Sequence, residues 1–326
     1  MAISVLRFDL RAPARFPAKH ADLYAAALEL ATFADERGFD SIALSEHHGV
    51  DDGFLPSPLL LAAAMASRTQ RISIGISALL APLYDPVKLA EDLAVLDLIS
   101  RGRVTTTLGM GYRREEYAMF GRVYEERGKL LDEWLDVLLR AWRGERFRWQ
   151  GRTVQVTPSP YTQPHPPIFV GGQSRRGALR AARFGLGYQP ASNDREMEQL
   201  YVDACKQRRV APLLRPPGTG EMIWVSRDPD RTWSQIGEHL LYEALVYSGW
   251  QPASQQSSTV HSRATTVEEL RREGLYRVLT PEGCLERAEA QGPYVAFVLY
   301  PLCGGTPPEL AFESVRLYAD EVLAKL

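Results

Sequence analysis

Apolar positions along this chain alternate between two periods. Short β-type runs at Ile3–Leu10, Phe39–Leu44, Arg71–Ser77 and Arg103–Leu108 are separated by stretches with helical spacing. After Pro17, the residues Leu23, Ala27, Leu30, Ala31 and Ala34 recur on one helical face, and Gly38 is a natural stop. Ser57-Pro58 and Asp85-Pro86 read as helix starts with proline at the first helical position, predicting helices to about Arg68 and over Pro86–Ile99. Ile72, Ile74 and Ile76 give the β-branched run of a parallel strand. Leu130, Trp134, Val137, Leu138 and Trp142 share one side of a long helix from about Glu125 to Trp142.

Gly144 to Pro167 interrupts the alternation with Gly151 and five prolines, and is read as an extended insertion. Strands are then expected at Ile168–Val170, Gly187–Pro190, Glu221–Ser226 and Tyr294–Tyr300. Helices are expected after Ser174, over Asp194–Arg208, over Pro229–Tyr247, from Thr280-Pro281-Glu282, and over Pro307–Leu326. Gln251–Thr266, rich in glutamine, serine and threonine, is read as a mobile loop or lid. Eight strands alternating with helices predict an α/β fold, a (β/α)₈ barrel with insertions, forming one domain over 1–326.

The 326 residues are 45% hydrophobic and 24% charged, with a formal net charge of -2. A single barrel reaches this length, and the charge balance calls for neither nucleic acid nor an anionic membrane. No apolar run approaches the roughly 20 residues that span a bilayer, and the N-terminus lacks a signal-peptide layout. Cys205, Cys284 and Cys303 are odd in number and far apart, as in a reducing compartment, so a cytoplasmic location is expected.

Chemistry concentrates at strand ends, where α/β sheets bind ligands. Ser77-Ala78 is a small-residue pair at the end of the third strand. The second strand runs into Ser45-Glu46-His47-His48. Adjacent residues of a strand face opposite ways, so one histidine is expected at the barrel mouth and the other packed outside. His47 is an acid/base candidate near neutral pH; a satisfied core histidine is the equal alternative. No compact metal-ligand set is evident, so no metal is expected. Gly109-Met110-Gly111-Tyr112 has two of the glycines of a dinucleotide fingerprint, but Arg114 stands where the third belongs, which disfavours a nicotinamide site. Taken alone, the two glycines read first as a simple strand-to-loop turn, and second as a place where a flat ligand approaches the backbone. Gly171, Gly172, Ser174, Arg175, Arg176 and Gly177 form a glycine turn, a helix cap and a basic pair. That combination reads as a phosphate site at a helix N-terminus, or as an ordinary cap with solvated arginines.

The ordered set resembles the luciferase-like monooxygenase superfamily of flavin-dependent oxidoreductases. The matching pieces are Phe39-Asp40-Ser41 leading to Ser45-Glu46-His47-His48, Asp52 to Pro58, Ile74 to Pro86, Leu96 to Arg103, Gly109 to Tyr117, His165 to Ile168, and Gly171 to Ser174. They cover about the first 190 residues; the last third is similar only loosely. The resemblance implies a dimeric barrel with the flavin at its C-terminal mouth and a non-prolyl cis peptide at Ser77-Ala78. It places His47 near the reactive ring edge, and Gly109, Tyr112 and Glu116 along the cofactor site. It assigns the phosphate-binding turn to Ser174, Arg175, Arg176 and Gly177, with Gly171 and Gly172 also at the cofactor site. Where the family often carries Ala-Asp-Gly after the fifth helix, this chain reads Phe184-Gly185-Leu186-Gly187. The implied activity is that of an FMN-utilising monooxygenase, with reduced FMN supplied by a separate flavin reductase and a small organic substrate. Deazaflavin coenzyme F-420 with hydride transfer, and a flavin-binding protein without turnover, are the alternatives. Trp224, Tyr242, Tyr247 and Trp250 are read as pocket-lining candidates or as core.

Overall fold

A computed structural model describes residues 2–215, 217, 221–250, 261–292 and 295–326. Its strands are β1 (Ile3–Phe8), β2 (Ser41–Leu44), β3 (Ser73–Leu80), β4 (Val104–Gly109), β5 (Phe147–Trp149), β6 (Arg152–Val154), β7 (Ile168–Gly171), β8 (Gly187–Gln189), β9 (Met222–Val225), β10 (Tyr276–Leu279) and β11 (Ala296–Leu299). Its α-helices are α1 (His20–Arg37), α2 (Pro58–Arg68), α3 (Pro86–Ser100), α4 (Arg114–Met119), α5 (Arg127–Trp142), α6 (Arg175–Phe184), α7 (Arg195–Arg208), α8 (Pro229–Trp250), α9 (Val267–Glu273), α10 (Pro281–Gln291) and α11 (Pro308–Glu321).

Polar caps set many of these boundaries. Asp85 accepts from the Val87 and Lys88 N–H groups, at 2.9 and 3.1 Å, and so starts α3. Ser174, Asp194, Thr266 and Thr280 do the same for α6, α7, α9 and α10. Gly38 ends α1 with φ at 94°, a left-handed turn that side chains resist. Ile74 and Ile76 on one face of β3 are fully buried, each contributing about 1.5–3 kcal/mol by leaving water.

The main sheet has the order β10-β9-β11-β1-β2-β3-β4-β7-β8, with every pairing parallel. The last strand returns to pair with the first, Val5 against Val298, as in a sheet that curls into a barrel. Among the described residues, nine strands form this sheet where eight were expected. The addition is β10, which follows the short helix α9; neither element was foreseen, because seven helical residues and four strand residues carry too little periodicity. The insertion at 144–167 holds an antiparallel hairpin of β5 and β6. Its two-residue turn, Gln150-Gly151, has positive φ at both positions, which matches the twist of the paired strands. Trp149 fastens the hairpin to α5 through its indole N–H on Glu133, at 2.8 Å. Among the described residues, no helix is long and apolar enough to cross a membrane.

Candidate active site

Strands β2, β3, β4 and β7 are consecutive in the sheet. Whatever follows their carboxyl ends therefore lies side by side at one rim of the barrel. After β2 comes His47, 3% exposed. Its Nδ1 lies 2.8 Å from Oε1 of Glu116 on α4. Two further donors reach the same oxygen: the His48 backbone N–H at 3.1 Å and the Arg113 guanidinium at 3.3 Å. Arg113 is itself anchored on the His48 carbonyl at 2.8 Å. Burial pushes the Glu116 carboxyl up, but the bonds from His47, His48 and Arg113 outweigh it and hold the group below its ordinary range.

Burial lowers the His47 pKa despite the pull of Glu116 in the other direction. A neutral imidazole beside an ionised carboxylate puts the proton on Nδ1, which donates to Glu116. Nε2 is then the acceptor. It faces the Tyr112 and Tyr247 hydroxyls at 3.3 and 3.4 Å. Burial raises the pKa of both phenols, so both remain protonated and either can donate to the single Nε2 lone pair. Phe54 and Trp250 complete the surroundings, each with its ring centroid 4.9 Å from that of the imidazole.

The second histidine departs from the expected surface position. His48 is 8% exposed and bonds Glu46 at 2.8 Å. Glu46 also accepts from Tyr84, at 2.5 Å, and from the Leu80 N–H, at 2.6 Å, tying the end of β2 to the end of β3. The reason is Glu46 itself: a buried carboxylate needs donors, and His48 is within reach.

Next along the rim is a shelf of small residues. The Ser77-Ala78 peptide is cis, and the β3–β4 register shifts between Ser77 and Leu79. Ser77 is exposed although its neighbour Ile76 is fully buried. Gly109 at the end of β4 has no room for a side chain: an added Cβ would sit 2.7 Å from that of Ala78. At Gly171, ending β7, it would meet Thr107 at 2.9 Å. Gln189 borders the shelf, its side-chain oxygen accepting from Thr107 at 2.5 Å and lying 3.5 Å from the Ser77 hydroxyl. A flat group can therefore approach the backbone here without meeting large side chains.

Beyond β7 the chain turns through Gly171-Gly172 into α6. The Ser174 hydroxyl accepts from the Gly177 N–H at 3.1 Å, and Arg175 and Arg176 are exposed in the first turn. Free N–H groups, the helix dipole and two solvent-facing guanidiniums suit an anion such as a phosphate.

The structure thus brings His47, Tyr112 and Glu116 into one hydrogen-bonded group, and sets Ser77, Ala78 and Gly109 on the neighbouring strands. Gly171, Gly172, Ser174, Arg175, Arg176 and Gly177 form a separate turn one strand further on. Arg11, Asp52 and Glu243 were not singled out from sequence. Arg11 is fully buried and lies 2.5 Å from both Glu243 and Asp52, and 3.4 Å from Asp9. Its guanidinium carbon is 4.6 Å from the centroids of Phe54 and Trp250, beside the His47 group. Glu243 left a signal: it stands three residues after Leu240 and four before Tyr247, on the apolar face of α8. Of the four pocket aromatics, Tyr247 and Trp250 meet His47, Tyr242 bonds Asp52 at 2.8 Å, and Trp224 belongs to the core. Residues 251–260 of the expected lid lie outside the described residues; Ser262 is buried and bonded to Glu273 at 2.6 Å. Among the described residues, no three His, Cys, Asp or Glu side chains are grouped to hold a metal ion.

The family model described as luciferase-like monooxygenase matches residues 6–284. The oxygenase component of the flavin-dependent trigonelline monooxygenase of Acinetobacter baylyi is 29% identical over 197 residues, which are 57% of this chain and 55% of that protein. An F420-dependent glucose-6-phosphate dehydrogenase of Amycolatopsis mediterranei is 27% identical over 259 residues, 75% of each. The chain spans about half the length of the first curated relatives it matches. Among solved structures, monooxygenase RslO1 from Streptomyces bottropensis superposes with a TM-score of 0.76 at 26% identity, covering 100% of this chain and 99% of that one. The oxygenating constituent of 3,6-diketocamphane monooxygenase from Pseudomonas putida, solved with FMN, gives 0.73 at 21% identity over 100% and 99%. The fold is the α/β barrel of these proteins, as the strand alternation predicted.

Proposed function

Because the chain belongs to the luciferase-like monooxygenase family, we propose that it is a flavin-dependent monooxygenase that uses reduced FMN. The observation that carries this reading is the order along one rim: His47 after β2, the shelf of small residues Ser77, Ala78 and Gly109 on β3 and β4, and the Ser174 turn after β7. A flat ring with a phosphate tail needs those features in that order. The residues present fit the group. Ser77, Ala78, Gly109 and Gly171 offer a floor, Tyr112 and Glu116 lie along its side, and Gly172, Ser174, Arg175, Arg176 and Gly177 offer phosphate contacts. When bound, reduced FMN supplies the electrons for oxygen activation.

The chain's own part is to bind, orient and exclude water. Glu116 fixes the His47 tautomer, which leaves Nε2 free to take a proton near neutral pH. The phenols of Tyr112 and Tyr247 hold that nitrogen until substrate replaces them. Phe54, Tyr247 and Trp250 keep the imidazole dry. A separate reductase supplying reduced FMN is part of this reading, supported by the match to an oxygenase component. So is a homodimer, for which the exposed apolar side chains Val95, Leu98 and Ile99 near the end of α3 are candidate contacts. We place the protein in the cytoplasm on its three unpaired, buried cysteines.

The match to the F420-dependent dehydrogenase over 75% of both chains supports a second reading, hydride transfer with the deazaflavin coenzyme F-420. Anaerobic titration with FMN and with F-420, each oxidised and reduced, separates the two. Selective binding of reduced FMN, followed by its rapid oxidation when oxygen is admitted, is the expected result. Selective binding of F-420 moves the assignment to hydride transfer, and binding of neither refutes the flavin site.

A further inference from the structure

We propose that the substrate is a flat, uncharged, electron-rich aromatic molecule, and that the Trp250 indole occupies its place in the structure. This rests on the flavin reading, since it names what His47 meets. A cleft of about 250 Å³ opens beside the His47 group, lined by Val50, Asp51, Asp52, Arg113, Tyr242 and Trp250, among others. Sites for small molecules usually measure about 300–1,000 Å³, so the cleft alone is undersized. It also stops short of the chemistry. Trp250 lines the cleft on one side and touches His47 on the other, with ring centroids 4.9 Å apart, and His47 is 3% exposed. Moving the indole joins the cleft to the imidazole and enlarges it at once.

The slot that the indole fills is built without its help. The Arg113 guanidinium carbon is 4.5 Å from the indole centroid and that of Arg11 is 4.6 Å. Arg113 is held by the His48 carbonyl and Glu116; Arg11 is held by Glu243, Asp52 and Asp9. Phe54 lies 6.2 Å away, centroid to centroid, and Tyr247 5.6 Å. Two guanidiniums fixed by their own partners thus wait for a π-face. That requirement selects the ligand. A cationic ring has an electron-poor face and gains nothing from stacking on either guanidinium. A carboxylate gains little, because Arg11 already meets Glu243 and Asp52, and Arg113 meets Glu116. A neutral ring with high electron density on its face takes the whole benefit.

Trp250 is the last residue of α8 that the structure describes. Its displacement is read directly by ¹⁹F NMR of FMN-free protein labelled with 5-fluorotryptophan. The chain has six tryptophans, and the line missing from Trp250→Phe identifies Trp250. Titration with 2-naphthol is expected to move that line saturably towards its solvent-exposed position and leave the other five in place. N-methylquinolinium is expected to leave it unmoved. In Trp250→Ala, 2-naphthol should bind about tenfold or more tighter, since no side chain has to leave first. An unmoved Trp250 line at saturating 2-naphthol, or an equal response to N-methylquinolinium, overturns the proposal; the wild-type titration decides even where the alanine variant fails to fold. FMN titration of the same sample by flavin fluorescence is independent. FMN binding with a static Trp250 line refutes the substrate class alone, whereas a moving line without FMN binding supports the slot and refutes the flavin reading.

Discussion

Glu116→Gln is the sharpest perturbation of the His47 group. One carboxylate oxygen accepts from His47, His48 and Arg113 at 2.8, 3.1 and 3.3 Å. The other oxygen is buried and has no hydrogen-bond partner among the described residues. Glutamine keeps a carbonyl for the first position and places an amide NH₂ in the second. Turning charge-assisted bonds into neutral ones costs about 1 kcal/mol for the two shorter contacts together, and an unpaired buried NH₂ costs about 1–3 kcal/mol. The sum is about 2–4 kcal/mol of stability, read from the urea unfolding midpoint. The same change removes the charge that props up the His47 pKa, so the imidazole, already lowered by burial, should titrate at still lower pH. Its ring-proton shift against pH, assigned with a His47→Asn variant, measures this. With the tautomer no longer enforced, turnover should drop about 10²-fold or more. A variant within about 0.5 kcal/mol of wild type, whose His47 titrates unchanged or at higher pH, would refute the claim that Glu116 sets the protonation of His47.

Other outcomes follow from single contacts. Gly109→Ala puts a methyl 2.7 Å from the Ala78 Cβ, so a loss of about 1–3 kcal/mol and weaker FMN binding are expected by denaturation and flavin titration. Ser174→Ala removes the cap on the Gly177 N–H, about 1 kcal/mol, and should weaken FMN far more than riboflavin, which lacks the phosphate. Asp9 is pushed up to about 7 by burial and by Glu243, against the pull of Arg11. A raised folded-state pKa gives stability that is complete below the unfolded value near 3.8 and is lost as pH rises to about 7. Thermal melts of Asp9→Asn between pH 4 and about 7 should therefore show a flatter profile than wild type, and equal slopes would contradict the buried, protonated state.

Local chemistry determined much of this protein from its sequence alone. Asp85-Pro86, Ser174 and Thr280-Pro281 start helices because a capping oxygen and a preset φ act within a few residues, and no distant part of the chain is needed. The alternation of strands and helices announced a parallel barrel for the same reason, and the ordered motifs brought out His47, Ser77-Ala78 and the Ser174 turn. Tertiary structure decided what surrounds them. Tyr247 reaches His47 across 200 positions and Glu243 reaches Arg11 across 232, separations that no periodicity records. The short strand β10 exists because β9 supplies the pairing that its four residues cannot specify, and α9 forms where it packs on α8. Burial of both histidines likewise followed from Glu46 and Glu116, whose need for donors is met only once the strand ends stand side by side. Spacing in the chain fixes which groups can cap, pair or turn; only the folded barrel brings charges far apart in the chain close enough to set each other's protonation.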